Sequence, residues 1–124
     1  MNLVDSSGWI EFFLAGVNGP KFKPVIEERN ALLVPVIALF EVHKVLSRKV
    51  SKPAVEQCLD VMRMGRVLDI TDERVVAAAY VASNYKLTMA DAMKYSLALE
   101  FGATFWTQDV DYQGLPRVHF FAKP

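Results

Sequence analysis

The chain has 124 residues, 52% of them hydrophobic and 23% charged, which predicts one folded domain spanning 1–124 and excludes a disordered chain. Fourteen Lys+Arg balance fourteen Asp+Glu, so no overall positive field attracts nucleic acid, and any polyanion must meet a local patch. The single cysteine, Cys58, excludes an internal disulfide, and without a leader-like start or an apolar run of roughly 20 residues we expect a cytoplasmic protein with no membrane contact.

In the first half of the chain, short apolar runs alternate with helical patterns. In chain order these are a strand at 3–4, helices at 7–15 and 21–30, a strand at 31–34, and helices at 36–48 and 53–64. Two boundaries have clear signals. Pro35 suits the first turn of a helix because its missing N–H would be unpaired there, and Gly65 ends a helix.

The second half continues this alternation. It predicts a strand at 67–71, helices at 72–85 and 89–101, and strands at 103–107 and 118–121. Thr71 and Thr88 are placed to cap the two helices, and Gly102 to end the second. Parallel strands need crossover connections, which helices supply, so the pattern predicts an α/β fold with a parallel sheet covered on both faces.

Four acidic residues stand close to the carboxyl ends of predicted strands. Asp5 ends the first strand, and Asp109 follows the fourth. Asp91 lies in the first turn of the helix that leads into the fourth strand, and Glu41 lies in the otherwise apolar helix after the second. Ligands of open α/β sheets bind outside the carboxyl ends of the strands, so we expect these side chains to share one edge.

Each acid alone also fits an ordinary structural role. Asp5 fits a helix cap, Asp91 a capping box and Asp109 a turn, while Glu41 stands beside Lys44 as in a solvated ion pair. Together they favour a metal site, because two carboxylates at ~4 Å repel by about 4 kcal/mol at an effective dielectric near 20. Oxygen ligands alone suit Mg²⁺ or Mn²⁺, and such an ion suits phosphodiester hydrolysis.

Four motifs follow one another along nearly the whole chain. They are Leu3-Val4-Asp5-Ser6-Ser7, the helix carrying Glu41, Ala90-Asp91-Ala92 and Thr107-Gln108-Asp109-Val110-Asp111-Tyr112. In this order and spacing they resemble the PIN-domain ribonucleases, specifically the VapC-type toxins of toxin–antitoxin pairs. The resemblance implies a single PIN-like domain, a three-layer α/β/α sandwich whose parallel sheet has about five strands in the order 3-2-1-4-5.

The resemblance also implies the site. Its catalytic acids fall on Asp5, Glu41, Asp91 and Asp109. Of these, Asp5, Asp91 and Asp109 would bind Mg²⁺ or Mn²⁺, and Glu41 would hold the ion or orient the attacking water.

Other polar residues would support these acids. Ser6 and Thr107 match positions whose hydroxyls assist the metal or its waters, and Asp111 matches a less uniformly used fifth acid. The sequence departs from the family pattern at Lys94, which lies one residue short of a full turn after Asp91 and can reach its carboxylate.

The expected function is that of a metal-dependent endoribonuclease toxin, with an RNA substrate, a cognate antitoxin and a homodimeric state. One alternative is a degenerate PIN domain that binds RNA or protein without hydrolysis. Another is an unrelated phosphoryl-handling domain such as a receiver, although no lysine is suitably placed near the last strand. The basic stretch over 44–66 fits an RNA-phosphate track, and it equally fits a solvated helix face.

Overall fold

One parallel sheet forms the middle layer of the computed structural model, which describes residues 1–124. Its strands are β1 (Asn2–Val4), β2 (Leu32–Pro35), β3 (Arg66–Leu68), β4 (Thr104–Thr107) and β5 (Val118–Phe120). They lie in the order β3-β2-β1-β4-β5, and every neighbouring pair is parallel. This confirms the predicted fold class and strand order.

Six helices cover the sheet. They are α1 (Ser6–Phe13), α2 (Gly19–Glu27), α3 (Val36–Leu46), α4 (Lys52–Met62), α5 (Asp72–Tyr85) and α6 (Met89–Phe101). None of them is both long and apolar enough to cross a membrane.

Two buried clusters join the layers, one on each face of the sheet. Successive strand residues alternate between them, so Val4 packs with α1 to α4 while Leu3 packs with α5 and α6. Trp9 is the largest side chain of the first cluster and Tyr95 the largest of the second, and both are fully buried. Alternation along β1 therefore fixes which face each helix layer covers.

The predicted helix signals at 71–102 are confirmed. The Thr71 side chain accepts a hydrogen bond from the N–H of Arg74 at 3.1 Å, and Gly102 ends α6 with φ of +60°. Two predicted elements differ from the structure by several residues. The predicted helix at 21–30 begins and ends earlier, as α2 at 19–27, and residues 29–31 form a separate short turn of 3-10 helix. The predicted strand at 67–71 is shorter, because β3 spans 66–68 only. Its last residue, Leu68, pairs with Pro35, where β2 also ends, so the ladder cannot extend further.

Gly8 of α1 packs against Phe22 and Val4, and we expect Gly8→Ala to lower the free energy of unfolding by ~1–3 kcal/mol. An added Cβ would stand 2.6 Å from Cε1 of Phe22 and 2.8 Å from Cγ1 of Val4. Both neighbours are fully buried, so they cannot move aside. This clash outweighs the gain in helix propensity of about 1 kcal/mol.

Urea denaturation followed by circular dichroism measures this change. Ser83→Ala, at an exposed position of α5, is a suitable control and should shift stability by less than ~0.5 kcal/mol. An unchanged or raised midpoint for Gly8→Ala would contradict the packing argument.

Candidate metal centre

Asp5 stands at the step from β1 to α1, and its side chain is 1% exposed. The side chain makes no capping hydrogen bond to α1. Instead, Oδ2 accepts hydrogen bonds from Ser7 Oγ at 2.7 Å and Thr107 Oγ1 at 2.9 Å. Oδ1 accepts one from Lys94 Nζ at 2.7 Å. The cap interpretation of Asp5 is therefore wrong, and its carboxylate points into a polar site shared with β4 and α6.

Glu41 reaches the same place from α3. Its Oε1 accepts a hydrogen bond from Ser6 Oγ at 2.7 Å and lies 2.9 Å from Lys94 Nζ. Glu41 thus forms its ion pair with Lys94 across the fold and not with Lys44 on its own helix. The side chain is 28% exposed, and Oε2 makes no hydrogen bond within the protein, so one oxygen stays accessible to a ligand or water.

Asp91 lies in the first turn of α6, where its backbone N–H donates to Thr88 Oγ1 at 3.4 Å. Its carboxylate Oδ1 is 3.6 Å from Lys94 Nζ. The Tyr112 hydroxyl donates to the Asp91 carbonyl oxygen at 3.1 Å. Both the start of α6 and the direction of the Asp91 side chain are therefore held by contacts with the remainder of the site.

Asp109 and Asp111 follow the end of β4. The N–H of Asp109 donates to Thr107 Oγ1 at 2.9 Å, and Asp109 Oδ1 accepts from the N–H of Asp111 at 3.0 Å. Asp109 therefore fills the turn role that its sequence position also suggested. One carboxylate oxygen from each of Asp91, Asp109 and Asp111 lies within 4.8 Å of the others.

These residues form one group, called here the carboxylate cluster, which consists of Asp5, Glu41, Asp91, Asp109 and Asp111. Strand topology explains the convergence, because β1 lies between β2 and β4 and all three end at the same edge of the sheet. The step to α1, the helix after β2 and the turn after β4 then meet there. The predicted meeting of distant acids at one edge is what the structure shows.

Charge in the cluster is unevenly compensated. Burial alone would lower the pKa of the Lys94 ammonium, but the charges and hydrogen bonds of Asp5 and Glu41 outweigh burial and raise it, so the group stays protonated. Burial raises the pKa of Asp109, and the charges of Asp5, Asp111 and Asp91 raise it further, although the hydrogen bond from the N–H of Asp111 offsets part of this rise. Negative charge is thus left uncompensated beside Asp109.

The donor set fits a hard divalent cation. The cluster offers carboxylate oxygens flanked by hydroxyls, with neither histidine nor cysteine among them, and this is the ligand chemistry that Mg²⁺ and Mn²⁺ prefer. Asp91, Asp109 and Asp111 can contribute oxygens together, and Asp5 adjoins them through Thr107.

The contacts of four polar residues go beyond what the sequence predicted. Ser7, rather than Ser6, is the serine that binds Asp5, while Ser6 binds Glu41. The Tyr112 hydroxyl donates to the carbonyl oxygen of Asp91. Lys94 contacts three acids instead of the one that helical spacing predicts. Two sequence signals pointed to these contacts: both serines directly follow Asp5, and helical spacing places Lys94 near Asp91.

The basic stretch over 44–66 lies on α3, α4 and the segments that follow them. Its cations are exposed, but Arg63 pairs with Asp60 at 3.2 Å and Arg66 stacks over the Phe101 ring at 5.2 Å from the centroid. A role in binding RNA phosphates stays a prediction for the exposed lysines and arginine near the end of α3.

The parallel sheet, its two helical layers and the carboxylate cluster at its edge define an α/β/α domain with an acidic site. The family model described as the PIN domain matches residues 3–118, and the chain belongs to the PIN domain family. Membership excludes the receiver alternative, as does the strand order, since receivers place their strands in the order 2-1-3-4-5.

Solved structures with this fold include VapC-type toxins. A chain of a toxin–antitoxin complex from Klebsiella pneumoniae is 17% identical with a TM-score of 0.82, covering 99% of this chain and 100% of that one. VapC20 of Mycobacterium tuberculosis, a toxin that cleaves the sarcin-ricin loop, is 16% identical with a TM-score of 0.73, covering 91% and 92%. VapBC2 of Rickettsia felis, bound to promoter DNA, gives 12% identity and a TM-score of 0.73, covering 98% and 97%. No curated protein matches the sequence significantly.

Proposed function

We propose that the chain is a metal-dependent endoribonuclease and the toxin of a type II toxin–antitoxin pair. The observation that carries the proposal is the convergence of Asp5, Glu41, Asp91 and Asp109 at one edge of a PIN-domain sheet. Clustered carboxylates repel each other, and a fold that keeps them together needs a cation to offset that repulsion. A divalent ion with oxygen ligands serves both this need and phosphodiester hydrolysis.

Asp5, Asp91 and Asp109 would hold the ion, with Asp111 in support. A bound Mg²⁺ or Mn²⁺ neutralises charge that develops on phosphate oxygens and lowers the pKa of a water bound to it. Thr107 keeps Asp5 and the Asp109 backbone together, since its hydroxyl donates to the first and accepts from the second. These contacts fix the spacing of the acids before substrate arrives.

Glu41 is suited to orient the attacking water. Ser6 and Lys94 fix its Oε1, which leaves Oε2 as the atom that accepts a hydrogen bond from the water and receives its proton as the nucleophile forms. Partial exposure of Glu41 gives water access to that oxygen. Ser6 is then a supporting residue that acts through Glu41.

The named activities and assemblies of the structural neighbours support the partner assignments. VapC20 cleaves the sarcin-ricin loop, the Klebsiella pneumoniae protein is part of a toxin–antitoxin complex, and the Rickettsia felis structure is VapBC2 bound to promoter DNA. For this chain we accordingly propose an RNA substrate, a cognate antitoxin and action in the cytoplasm. A homodimer accords with the exposed apolar side chains of Phe40, Tyr80 and Met89.

The proposal predicts RNA cleavage that depends strictly on a divalent ion. Purified protein incubated with RNA and Mg²⁺ or Mn²⁺ should produce discrete fragments, and EDTA should reduce the cleavage rate by at least ~100-fold. Gel analysis of end-labelled RNA measures the rate, and excess Mn²⁺ added after EDTA should restore it. Full activity in EDTA would refute the mechanism.

A second candidate is a PIN domain that binds RNA or protein without hydrolysis. Lys94 is the observation that favours it, because a protein cation already neutralises part of the carboxylate cluster. Calorimetry separates the two candidates. A nuclease should bind Mn²⁺ in the micromolar to millimolar range, whereas the binding module should show no heat of binding.

A further inference from the structure

Lys94 is buried inside the carboxylate cluster. Its side chain is 4% exposed and extends from the second turn of α6 into the space between three acids. Its Nζ lies 2.7 Å from Asp5 Oδ1, 2.9 Å from Glu41 Oε1 and 3.6 Å from Asp91 Oδ1. A lysine on the surface rarely keeps fixed contacts of this kind. Ordering its long side chain costs conformational entropy, and an ion pair in water gives little free energy in return.

The lysine divides the cluster into two parts. Asp5 and Glu41 form one part, and each has its charge paired with the ammonium and with a serine hydroxyl. Asp109 and Asp111 form the other part, and neither makes a salt bridge with any lysine or arginine of the chain. Asp91 belongs to both, since it contacts Lys94 and also lies within 4.8 Å of Asp109 and Asp111.

We propose that Lys94 is a built-in cation that takes the place of a second divalent ion between Asp5 and Glu41, so that the protein binds one divalent ion, beside Asp91 and Asp109. This inference rests on the proposed nuclease function. In two-metal sites the ions lie only about 3.5–4 Å apart and share bridging carboxylates. An ammonium already within hydrogen-bond distance of Asp5 and Glu41 occupies the same oxygens and repels a second cation.

Lys94 acts in this arrangement as a positioning residue. It is too deeply buried to touch substrate, and its donors are directed at carboxylates. Its effect is to fix Oε1 of Glu41 and Oδ1 of Asp5 whether or not a divalent ion is bound. Orientation of the attacking water then depends on the protein itself. The divalent ion would be held by Asp91 and Asp109, with Asp5 contributing Oδ2, the oxygen that contacts hydroxyls and not Lys94.

The number of bound ions tests this role without reference to activity. Mn²⁺ is titrated into the wild type, Lys94→Met and Lys23→Met, using calorimetry for stoichiometry and electron paramagnetic resonance for free Mn²⁺. Methionine has an unbranched side chain one atom shorter than that of lysine and removes the charge, and Lys23 is an exposed lysine on α2. We expect one ion for the wild type and for Lys23→Met. Lys94→Met should bind two, the first about tenfold more tightly than in the wild type.

Lys94→Arg is a second variant that keeps the proposal testable if Lys94→Met does not fold. Circular dichroism measures whether each variant is folded. Lys94→Arg retains the charge, so it should bind one ion, like the wild type. Two ions in the wild type, or one in folded Lys94→Met, would overturn the role of Lys94 alone. If Lys94→Met does not fold, two ions in Lys94→Arg would overturn it as well. No ion in any variant would instead overturn the proposed nuclease, so the two failures are distinguishable.

Discussion

Asp109→Asn is expected to reduce Mn²⁺-dependent RNA cleavage by at least ~100-fold while leaving the metal-free protein as stable as the wild type or more so. Cleavage falls while stability does not, because the Asp109 carboxylate would bind the metal ion and also repels its acidic neighbours when no ion is bound. Asp109 stands among Asp5, Asp91 and Asp111, and burial and these charges raise its pKa. Asparagine removes the repulsion and keeps Oδ1, which still accepts the hydrogen bond from the N–H of Asp111.

The pH dependence of unfolding isolates this repulsion. A carboxyl whose pKa is raised in the folded state binds its proton more tightly when folded, so its contribution to stability falls as pH rises from its ordinary pKa of 3.8 through the raised value. The difference in melting temperature between Asp109→Asn and the wild type should therefore increase over that interval, in EDTA.

Asp60→Asn is the matched control, because Asp60 is exposed and pairs only with Arg63 on the surface. It should change neither cleavage nor the slope of stability against pH. An Asp109→Asn protein that cleaves RNA at the wild-type rate would exclude Asp109 as a metal ligand.

The sheet and the helices were predictable because their signals are local or periodic. The bounds of α5 and α6 agree with prediction, since Thr71, Thr88 and Gly102 mark helix ends through side-chain caps and a left-handed residue. The bounds of β3 were not predictable. They depend on where the partner strand β2 ends, which is a property of the sheet rather than of residues 66–71.

The acids of the site were predictable, but their partners were not. Asp5 and Asp109 carry a signal because strand ends share one edge of a parallel sheet. The contacts of Lys94 with Asp5 and Glu41 join residues 89 and 53 positions apart, and no spacing rule relates them. Helical spacing predicts only the contact with Asp91, which is the longest of the three at 3.6 Å.

Asp5→Asn should be the most destabilising single change in the cluster for the metal-free protein, lowering the free energy of unfolding by ~3–5 kcal/mol, because it removes one partner of a buried ion pair. Lys94 would keep Glu41 at 2.9 Å but would lose its closest carboxylate. The amide also conflicts with its surroundings, since Asp5 accepts on Oδ1 from an ammonium and on Oδ2 from two hydroxyls. An asparagine NH₂ group placed on either side meets donors.

A double-mutant cycle with Lys94→Met separates the ion pair from other effects of Asp5→Asn. If the buried pair dominates, the double variant should be less destabilised than the sum of the two single variants, with a coupling energy of ~1–3 kcal/mol. Urea denaturation in EDTA provides all four stabilities. Additive losses would mean that the serine and threonine hydroxyls, and not Lys94, hold Asp5 in place. A large coupling would show that the lysine and the aspartate stabilise the fold as one unit, before any divalent ion binds.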